Sequence, residues 1–390
     1  MTEQKLNLKE TITENLEDLF QLAKNMKENP ELGFKEYKAS TWLTEYLESK
    51  GFTVEKGIAG LETSFKATYD LSEEGPNIAF LCEYDALPGI GHGCGHNLIG
   101  PQSIGAAIAL SKMENLSGTI TVLGAPAEET GGAKVILVEK GVFNDIDFAM
   151  MVHPATRNLS YSTSFAIDAI EFTYHGKTSH AASAPELGVN ALDSVIQLFN
   201  GINALRQHLK DDVRIHGIIN DGGQAPNVVP DRASARFYFR AKERKYLDEM
   251  FKKILRIAEG AALMTGAWME WKNYELSNDN LMPNKAMAKT FEDNMKTLGI
   301  EDIDPPQDGK GSSDMGNVSH AVPAIHPYIA IAEKDAFNPH SVDMANATVS
   351  DGGKRGLFRA AICLACTAYD ILTDEKLQKE IKKEYKAATK

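Results

Sequence analysis

The chain has 390 residues, of which 43% are hydrophobic and 24% charged, and its formal net charge is −13. A chain of this length exceeds one hydrophobic core, so we expect a globular protein with two domains. Its acidic balance argues against a nucleic acid or an anionic membrane as the partner.

The first 165 residues alternate between helical and strand patterns. Apolar residues recur at helical spacing over Lys9–Glu28 until Asn29-Pro30, and a second helical pattern covers Tyr37–Lys50. A third helix is predicted at Ile99–Leu110, with Pro101 in its first turn. Short apolar or β-rich runs predict the strands Phe52–Glu55, Ser64–Tyr69, Ile78–Cys82, Thr119–Ala125 and Phe148–Val152. This order is typical of an α/β domain.

The pattern changes at about residue 166. The order becomes strand, helix, two strands, helix, strand, which is that of a ferredoxin-like βαββαβ unit. The predicted helices and strands are Ile170–His175, Ala191–Lys210, Val213–Asn220, Ser234–Arg240, Lys245–Met264 and Trp268–Tyr274. We therefore expect an inserted domain at 166–276, which divides the larger α/β domain into two parts, 1–165 and 277–390.

The cysteines and the hydropathy indicate the compartment. Four cysteines are too few for a disulfide scaffold. The N-terminal residues carry no apolar signal-peptide core, and no uncharged apolar run reaches about 18 residues. We therefore expect a cytoplasmic protein without a membrane partner.

Cys363 and Cys366 have the spacing of a redox or zinc pair. They lie within Leu357–Leu372, a strongly apolar helical pattern without an interior glycine or proline, and a structural zinc site needs a second pair. We interpret them as buried cysteines of a core helix. A redox function of this pair is the alternative, which titration of the thiols in the folded protein would test.

The most informative segment follows the predicted strand Ile78–Cys82. It places carboxylates at Glu83 and Asp85, and then Cys94 and His96 two residues apart in a glycine-rich loop. The glycines allow the backbone to bring the thiol and the imidazole towards one point. A ligand-rich loop between a strand and a helix N-terminus is where open α/β sheets form their sites.

Ligand-type side chains recur at the ends of other predicted strands. Glu128 and Glu129 follow one strand, His153 follows the next, and His340 lies in a late turn region. Each alone has a plainer interpretation, since adjacent glutamates are usually solvated and a single histidine at a strand end is usually structural. Their recurrence within one α/β domain indicates a metal centre. His92, in the glycine-rich loop, is either an alternative ligand or a residue that braces the loop.

Seven short segments stand out along the chain: Asn29–Glu36, Tyr84–Pro88, Gly93–His96, Pro126–Glu129, Val152–Pro154, Gly176–Ala181 and Asn227–Pro230. In this order, they resemble the aminoacylase/carboxypeptidase family of dinuclear metallopeptidases. Within it, they are similar to the amidohydrolase branch of indole-acetyl-amino-acid hydrolases, aminobenzoyl-glutamate hydrolases and aminoacylase-1-like protein 2. Asn97 departs from the pattern, because many relatives carry aspartate there.

The resemblance implies a mixed-sheet α/β catalytic domain of the dinuclear-metal exopeptidase type, an inserted lid or dimerisation domain, and a homodimer. It implies two divalent metal ions in each protomer, zinc or manganese, bridged by a cysteine thiolate. The implied metal ligands are Cys94, which bridges, and His96, Glu129, His153 and His340. Glu128 is implied as the general base, and Asp85 as a carboxylate that orients a ligand.

Further residues are implied in substrate binding. His180 matches a histidine that donates to the tetrahedral oxyanion, often in the other protomer, although a surface histidine is the plainer interpretation. Asn227 and Arg240 match positions that bind the substrate's free carboxylate, a task that suits a planar guanidinium. Arg240 could instead pair with a glutamate on a strand face. Ser313, in a glycine-bounded loop, is expected to line the pocket.

The expected charges support hydrolysis at such a centre. A thiolate and one carboxylate contribute two negative charges against four positive charges from the ions, so the centre favours hydroxide over water. Glu128 would accept the proton of that water and pass it to the leaving amine. We therefore expect a metallohydrolase that cleaves the amide bond of dipeptides or N-acyl amino acids with a free carboxylate. The alternative is a catalytically silent, dimeric member that binds a small ligand, which an intact Glu128 disfavours.

Overall fold

The computed structural model describes residues 1–71, 74–309 and 311–389. The chain forms a first unit, Met1–Thr163 with Leu281–Lys390, and an inserted unit, Ser164–Asn280. The boundaries predicted from the sequence, 165/166 and 276/277, lie two and four residues from these. Each unit has its own hydrophobic core.

Eleven α-helices and fourteen strands lie within the described residues. The helices are α1 Glu3–Glu28, α2 Tyr37–Ser49, α3 His96–Ser111, α4 Ala133–Glu139, α5 Ala191–Leu205, α6 Arg244–Thr265, α7 Lys285–Thr297, α8 Met315–Ala321, α9 Val342–Ala347, α10 Asp351–Thr373 and α11 Glu375–Ala388. The strands are β1 Thr53–Lys56, β2 Phe65–Asp70, β3 Asn77–Cys82, β4 Thr119–Gly124, β5 Phe148–Met150, β6 His153–Ala155, β7 Ser162–Thr163, β8 Ala166–His175, β9 Arg214–Asp221, β10 Arg232–Ala241, β11 Trp268–Asn273, β12 Gln307–Asp308, β13 Ala324–Ile325 and β14 Tyr328–Ala330.

The six-stranded sheet of the first unit is mixed, in the order β1-β2-β4-β3-β5-β13. Strands β1, β2 and β4 pair antiparallel, whereas β4, β3, β5 and β13 run parallel. Strands β3 and β4 are buried from their second residue to their last, as expected for apolar runs that are covered on both faces. The carboxyl ends of the parallel strands meet at one edge of the sheet, where open α/β sheets form their sites.

Helices cover both faces of this sheet. Alternate residues of β3 belong to two hydrophobic clusters: Ile78 and Phe80 pack with α1, α3 and α10, and Ala79 and Leu81 pack with α4 and α8. All sixteen residues of α3 are buried, because this helix lies between the sheet and the helices α1 and α10. Gly105 permits the close packing, since a Cβ there would lie 2.8 Å from a leucine methyl of α1.

Helix α3 begins at His96 and not at Ile99, the predicted start. Gly95 has φ +84°, which lets the loop turn directly into the helix. Pro101 therefore lies inside the helix and not in its first turn, and it removes the N–H that would bond to the carbonyl of Asn97. A ligand-type side chain thus opens this helix at the edge where the parallel strands end.

Among the described helices, α10 alone is long and apolar enough to span a membrane, with a mean hydropathy of 1.4 over its most apolar window. Most of that window is buried in the first unit, and buried core helices have the same length and composition. Cys363 and Cys366 are 0% and 2% exposed within it. Their burial confirms the interpretation as cysteines of a core helix.

The inserted unit is a four-stranded antiparallel sheet in the order β11-β8-β10-β9, with α5 and α6 packed on it. This arrangement confirms the predicted ferredoxin-like order βαββαβ. Strand β8 begins at Ala166, before the predicted Ile170, and pairs with β10 over its full length. Strands β9 and β11 are the edges of the sheet, and β9 exposes Ile218 and Ile219 by 63% and 47%.

Candidate metal centre

Asp85 ties the end of strand β3 to the start of helix α3. Its Oδ1 lies 2.8 Å from Nδ1 of His96, and its Oδ2 accepts the backbone N–H of Glu129 at 2.9 Å. Burial raises the pKa of Asp85, but the charge and the hydrogen bond of His96 outweigh burial and hold that pKa below its usual value. The carboxylate thus orients one predicted ligand directly and a second through its backbone.

Cys94, His96 and His153 form one cluster of ligand-type atoms, which all lie within 4.8 Å of one another. Sγ of Cys94 is 3.5 Å from Nε2 of His153, and the two imidazoles pack edge to face with centroids 5.7 Å apart. Nδ1 of His153 lies 2.8 Å from the carbonyl oxygen of Pro154, to which it donates, as Nδ1 of His96 faces Asp85. Both Nε2 atoms are therefore directed at the cluster, as in metal-binding histidines.

Cys94, Glu129 and His340 form a second cluster with the same spacing. Oε1 of Glu129 lies 3.0 Å from Nε2 of His340, without a hydrogen bond. His340 has φ +58°, and its N–H bonds to the carbonyl of Gly93 at 2.9 Å, which joins the late turn to the cysteine loop. Because Cys94 belongs to both clusters, the five predicted ligands form two triads that share one thiol.

Glu128 lies beside these triads, with a carboxylate oxygen within 4.8 Å of ligand atoms of His96 and Glu129. Burial raises the pKa of its carboxyl well above the usual value, and the charges of Glu83 and Asp314 raise it further. A carboxyl with a raised pKa beside a ligand cluster is suited to accept and return a proton.

A buried lysine cluster next to Glu128 was not predicted from the sequence. Nζ of Lys134 lies 2.5 Å from Oε1 of Glu83 and 2.6 Å from Oδ1 of Asp314, and all three side chains are at most 1% exposed. Carboxylate oxygens of Glu83, Glu128 and Asp314 lie within 4.8 Å of one another. Burial lowers the pKa of Lys134, but the two carboxylates reverse this and raise it above its usual value. Since the ammonium already supplies a cation there, we do not interpret this cluster as a further metal site.

The sequence does contain a local signal for Lys134. It is the one charged residue within 133–138, an apolar helical run that follows Gly131 and Gly132. A lysine that is fully buried is almost always paired, so an isolated charge in such a run indicates a buried partner. The apolar run around Lys134 does not show which residues pair with it. Glu83 is recognisable in the sequence only as a carboxylate at the end of a predicted strand.

Two buried histidines lie near the triads without joining them. His92, the alternative ligand, belongs to none of the ligand clusters of the described residues, although its Nδ1 is buried without a hydrogen bond. His326, which was not predicted as a site residue, follows β13, and its ring centroid lies 5.7 Å from that of His153.

Ser313 immediately precedes Asp314 of the lysine cluster, and its Oγ accepts a backbone N–H of α8 at 3.3 Å.

His180, Asn227 and Arg240 belong to the inserted unit. His180 is exposed, and its Nδ1 accepts two backbone N–H groups at 3.2 Å. The N–H that follows His180 bonds to the carbonyl of Asn227 at 3.0 Å, so these two segments lie side by side. Arg240 lies on strand β10, and its guanidinium is 5.8 Å from the ring centre of Tyr238. The structure therefore brings His180 and Asn227 together within this unit.

The donor atoms and the unpaired groups of the first unit fit divalent metal ions. Nε2 of His96 and Oε1 of Glu129 are buried without hydrogen-bond partners. Buried polar atoms normally have a partner, so a bound cation would satisfy them. Sulfur, imidazole nitrogen and carboxylate oxygen are the donors that zinc takes in proteins, and manganese accepts the oxygen and nitrogen donors among them.

Comparison with known proteins adds independent findings. The family described as peptidase dimerisation domain, M20_dimer, matches residues 163–263. The chain is 38% identical over 393 residues to the Xaa-Arg dipeptidase of Mus musculus, with 97% of this chain and 91% of that protein covered. It is 34% identical over 292 residues to a p-aminobenzoyl-glutamate hydrolase chain of Escherichia coli K12, with 69% of this chain and 60% of that protein covered.

A solved structure has the same fold. The dinuclear metal-binding peptidase of the M20 family from Bacillus subtilis superposes with a TM-score of 0.67, covering 90% of this chain and 98% of that chain. The sequence identity between the two is 19%, so this likeness establishes the fold alone. It confirms the predicted α/β class with an inserted βαββαβ unit.

Proposed function

Because the chain belongs to the M20 family of aminoacylases and carboxypeptidases, we propose that it is a two-metal dipeptidase with Glu128 as its general base. Membership of this family makes the chain a hydrolase of peptide or amide bonds. The observation that carries the finer proposal is the pair of ligand triads that share Cys94, with Glu128 beside them.

The side chains of the triads would hold and orient the metal ions. Two bound divalent ions, zinc or manganese, would supply Lewis acidity that polarises the scissile carbonyl and lowers the pKa of a water. Cys94, His96 and His153 would hold one ion, and Cys94, Glu129 and His340 the other, because the thiol of Cys94 belongs to both triads. Asp85 would keep the imidazole of His96 in place through Nδ1, and the carbonyl of Pro154 would do the same for His153.

Glu128 moves the proton in this proposal. Its carboxylate would accept a proton from the attacking water and return it to the nitrogen of the leaving amine. The ammonium of Lys134 offsets part of the negative charge of Glu83 and Asp314, whose carboxylate oxygens lie within 4.8 Å of an oxygen of Glu128. Without that ammonium, the ionised form of Glu128 would be less favourable, because like charges raise the pKa of a carboxyl.

We propose a dipeptide as the substrate, and its free carboxylate as the group that the inserted unit binds. The similarity to an Xaa-Arg dipeptidase over nearly the whole chain favours dipeptides that end in a basic residue. N-acyl amino acids and aminobenzoyl-glutamate are the next candidates. Asn227 and Arg240 are the proposed carboxylate-binding residues, His180 is the proposed oxyanion donor, and Ser313 is proposed to line the pocket.

We propose a homodimer formed through the inserted unit, and a cytoplasmic location. The matched dimerisation domain covers most of this unit, and its edge strand β9 exposes two isoleucines. An exposed apolar edge strand is a ready surface for pairing with another chain. The proposed location rests on the cysteines, because a thiol ligand such as Cys94 stays reduced in the cytoplasm.

Hydrolysis by metal-free protein that is reloaded with zinc, manganese or cobalt tests this function. Xaa-Arg dipeptides should be cleaved faster than N-acyl amino acids and aminobenzoyl-glutamate. Cys94→Ser should bind metal more weakly and lose hydrolysis, whereas Cys363→Ser, the matched change of a core thiol, should retain both. Full metal binding without hydrolysis of any of these substrates would contradict the proposal and favour the catalytically silent member.

A further inference from the structure

The conspicuous segment Asn29–Glu36 has no role in the chemistry described so far. It connects α1 to α2, and its Leu32 pairs with Ala86 next to the strand-end carboxylates of β3. Glu36 ends the segment, and this carboxylate is 0% exposed. A fully buried carboxylate needs partners of its own, so its contacts indicate what the segment does.

Both carboxylate oxygens of Glu36 accept hydrogen bonds. Oε1 accepts the backbone N–H of Ala127 at 2.8 Å, and Oε2 accepts the hydroxyl of Thr63 at 2.9 Å. Ala127 directly precedes the proposed base and ligand, Glu128 and Glu129. The buried carboxylate is therefore bonded to the backbone from which both functional glutamates project.

Ala127 has an unusual backbone conformation. Its φ is +55°, in the left-handed region that residues with a Cβ rarely adopt. Its carbonyl accepts the N–H groups of Gly131 and Gly132 at 2.9 and 2.8 Å, and its N–H is held by Glu36. Backbone strain of this kind persists only where the surroundings fix it from several sides.

The same segment also packs against the turn that follows Ala127. A Cβ at Gly33 would lie 2.1 Å from Oγ1 of Thr130 and 2.8 Å from Cβ of Ala127. A Cβ at Gly131 would lie 2.1 Å from the ring of Phe34. Neither glycine therefore has room for a Cβ, so the segment and the turn form one packed unit.

We propose that Glu36 is a positioning residue, whose carboxylate holds Ala127 in its left-handed conformation and thereby aims Glu128 and Glu129 at the ligand triads. The inference rests on the proposed function for the roles of those two glutamates. It assigns no contact with substrate or metal to Glu36 itself. It also gives the Asn29–Glu36 segment a function, that of a brace for the turn at 127–131.

The variant Glu36→Gln separates the effect of the hydrogen bonds of Glu36 from the effect of its charge. Burial raises the pKa of Glu36 to about 7, so its ionised and protonated forms are both populated near neutrality. In Glu36→Gln, the amide oxygen can still accept the N–H of Ala127, and the amide nitrogen can donate to Thr63. Glu36→Gln should therefore keep kcat and metal affinity within about twofold of wild type, because both hydrogen bonds can persist.

Loss of the acceptor should have a larger effect. Glu36→Ala should lower kcat by about 10–100-fold and weaken metal binding by about tenfold, the usual range for residues that orient metal ligands. Thr63→Val is the matched control, since it removes the partner of Oε2 and leaves the bond to Ala127 intact. It should stay close to wild type in both measurements.

Rescue distinguishes positioning from a general loss of stability. Glycine adopts a positive φ without strain, so Ala127→Gly should make the hydrogen bond to the carboxylate of Glu36 less necessary. The double variant Glu36→Ala/Ala127→Gly should therefore recover at least about threefold in kcat over Glu36→Ala. Should Glu36→Ala fail to fold, Glu36→Asp, with a carboxylate one methylene shorter, takes its place in the same series.

Calorimetric titration with zinc or manganese, without substrate, supplies a readout that does not depend on turnover. If wild-type protein binds metal but cleaves no substrate, the proposed function fails, while the affinity of Glu36→Ala relative to wild type still decides the positioning role. A crystal structure of Glu36→Ala gives the direct measurement. Wild-type metal affinity, with Ala127 still near φ +55° and both glutamates in place, would overturn the inference.

Discussion

Cys94 can join both triads because of the glycines on either side of it. A Cβ at Gly93 would lie 3.2 Å from the carbonyl oxygen of Ser341, and one at Gly95 would lie 2.6 Å from Cγ of Pro154. A side chain at either position would push the cysteine loop away from the turn before α9 or from strand β6. A thiol shared between two ligand clusters therefore requires glycine on both sides.

Glu128→Gln should keep metal binding and lose most of the turnover. The amide has nearly the same shape but cannot accept a proton from the attacking water, and the two triads remain intact. Loss of a general base lowers kcat by about 10²–10⁴-fold. Metal content by mass spectrometry and kcat on the preferred dipeptide check this prediction. A kcat close to wild type would remove Glu128 from the role of base.

Lys134→Met should destabilise the protein far more than the loss of an exposed lysine. Removing one partner of a buried ion pair lowers the free energy of unfolding by about 3–5 kcal/mol. Lys134 faces Glu83 and Asp314 in the core, whereas Lys289 pairs with Asp293 on the surface. Lys289→Met is therefore the control, with an expected loss of about 0–1 kcal/mol. Denaturant unfolding of the metal-free variants measures both, and equal losses would contradict the prediction.

The ligand triads and the buried lysine cluster differ in how far they could be predicted from the sequence. The residues of the triads lie in short motifs at strand ends, in the glycine-rich loop and in a late turn, so their convergence could be expected before the fold was known. The bonds from Lys134 to Glu83 and Asp314 join residues 51 and 180 positions apart. No periodicity or motif pairs such distant residues, and only the tertiary structure brings them together.

Among the elements, helix α3 shows why its start was predicted too late. His96 and Asn97 are polar but only 1% and 0% exposed, so they add no apolar signal to the helical pattern. His96 is paired with Asp85, and the amide of Asn97 donates to the carbonyl of Ala23 and to Oγ1 of Thr348, each at 3.0 Å. Polar residues that are buried inside the fold shorten a prediction based on apolar spacing.

The predicted start of strand β8, Ile170, was too late for a related reason. Its early residue Asp168 is a charge that β-strands normally disfavour, and it interrupts the apolar run. In the folded unit, its carboxylate receives two hydrogen bonds from the guanidinium of Arg244, at 2.8 and 2.6 Å. The strand therefore extends through Asp168, because a distant residue compensates the charge.

Strand β4 leads to Glu128 and Glu129 and ends at Gly124. The change Gly124→Ala should destabilise the protein. A Cβ at Gly124 would lie 2.3 Å from the ring of Phe65 and 2.8 Å from Oη of Tyr84. Overpacking of a core lowers the free energy of unfolding by about 1–3 kcal/mol. Denaturant unfolding of the variant measures this loss.

A second glycine gives the control for this prediction. Gly260 lies inside helix α6, and a Cβ there would meet nothing within 4 Å. Gly260→Ala should be neutral or stabilising by up to about 1 kcal/mol, because alanine favours the helical backbone. If both alanine variants were equally stable, close packing at Gly124 would not be what the strand requires.

For the molecule as a whole, the insertion expected from the change of pattern ends at residue 276, four residues before the inserted unit of the structure ends. Residues 277–280 are Ser-Asn-Asp-Asn, a polar stretch without strand or helix periodicity. Such a stretch fits the end of either unit, so the predicted boundary preceded the observed one. The backbone places it with the inserted unit, where Asn278 bridges to Ile167.

Mixed dimers test whether His180 acts across the proposed dimer. His180→Ala and Glu128→Gln should each be nearly inactive as homodimers, with metal content unchanged. If His180 serves the site of the other protomer, each mixed dimer regains one complete site, and a 1:1 mixture should reach about a quarter of the wild-type rate. The check is the rate after the protomers have exchanged, with each variant incubated alone as control. A mixture no more active than its components would contradict the role across the dimer.

The interruption of the first unit has a consequence for its synthesis on the ribosome. Strand β13 covers the edge of β5, and α10 packs on α3, so residues 1–163 emerge without two of the elements that enclose their core. Translation at about 5–20 residues per second needs roughly 5–20 seconds to deliver residues 281–390. The inserted unit is continuous and has its own core, so it can fold in that interval. The nascent N-terminal part, with an unpaired strand edge and an uncovered apolar face, is thus the part most prone to aggregate before residues 281–390 have been synthesised.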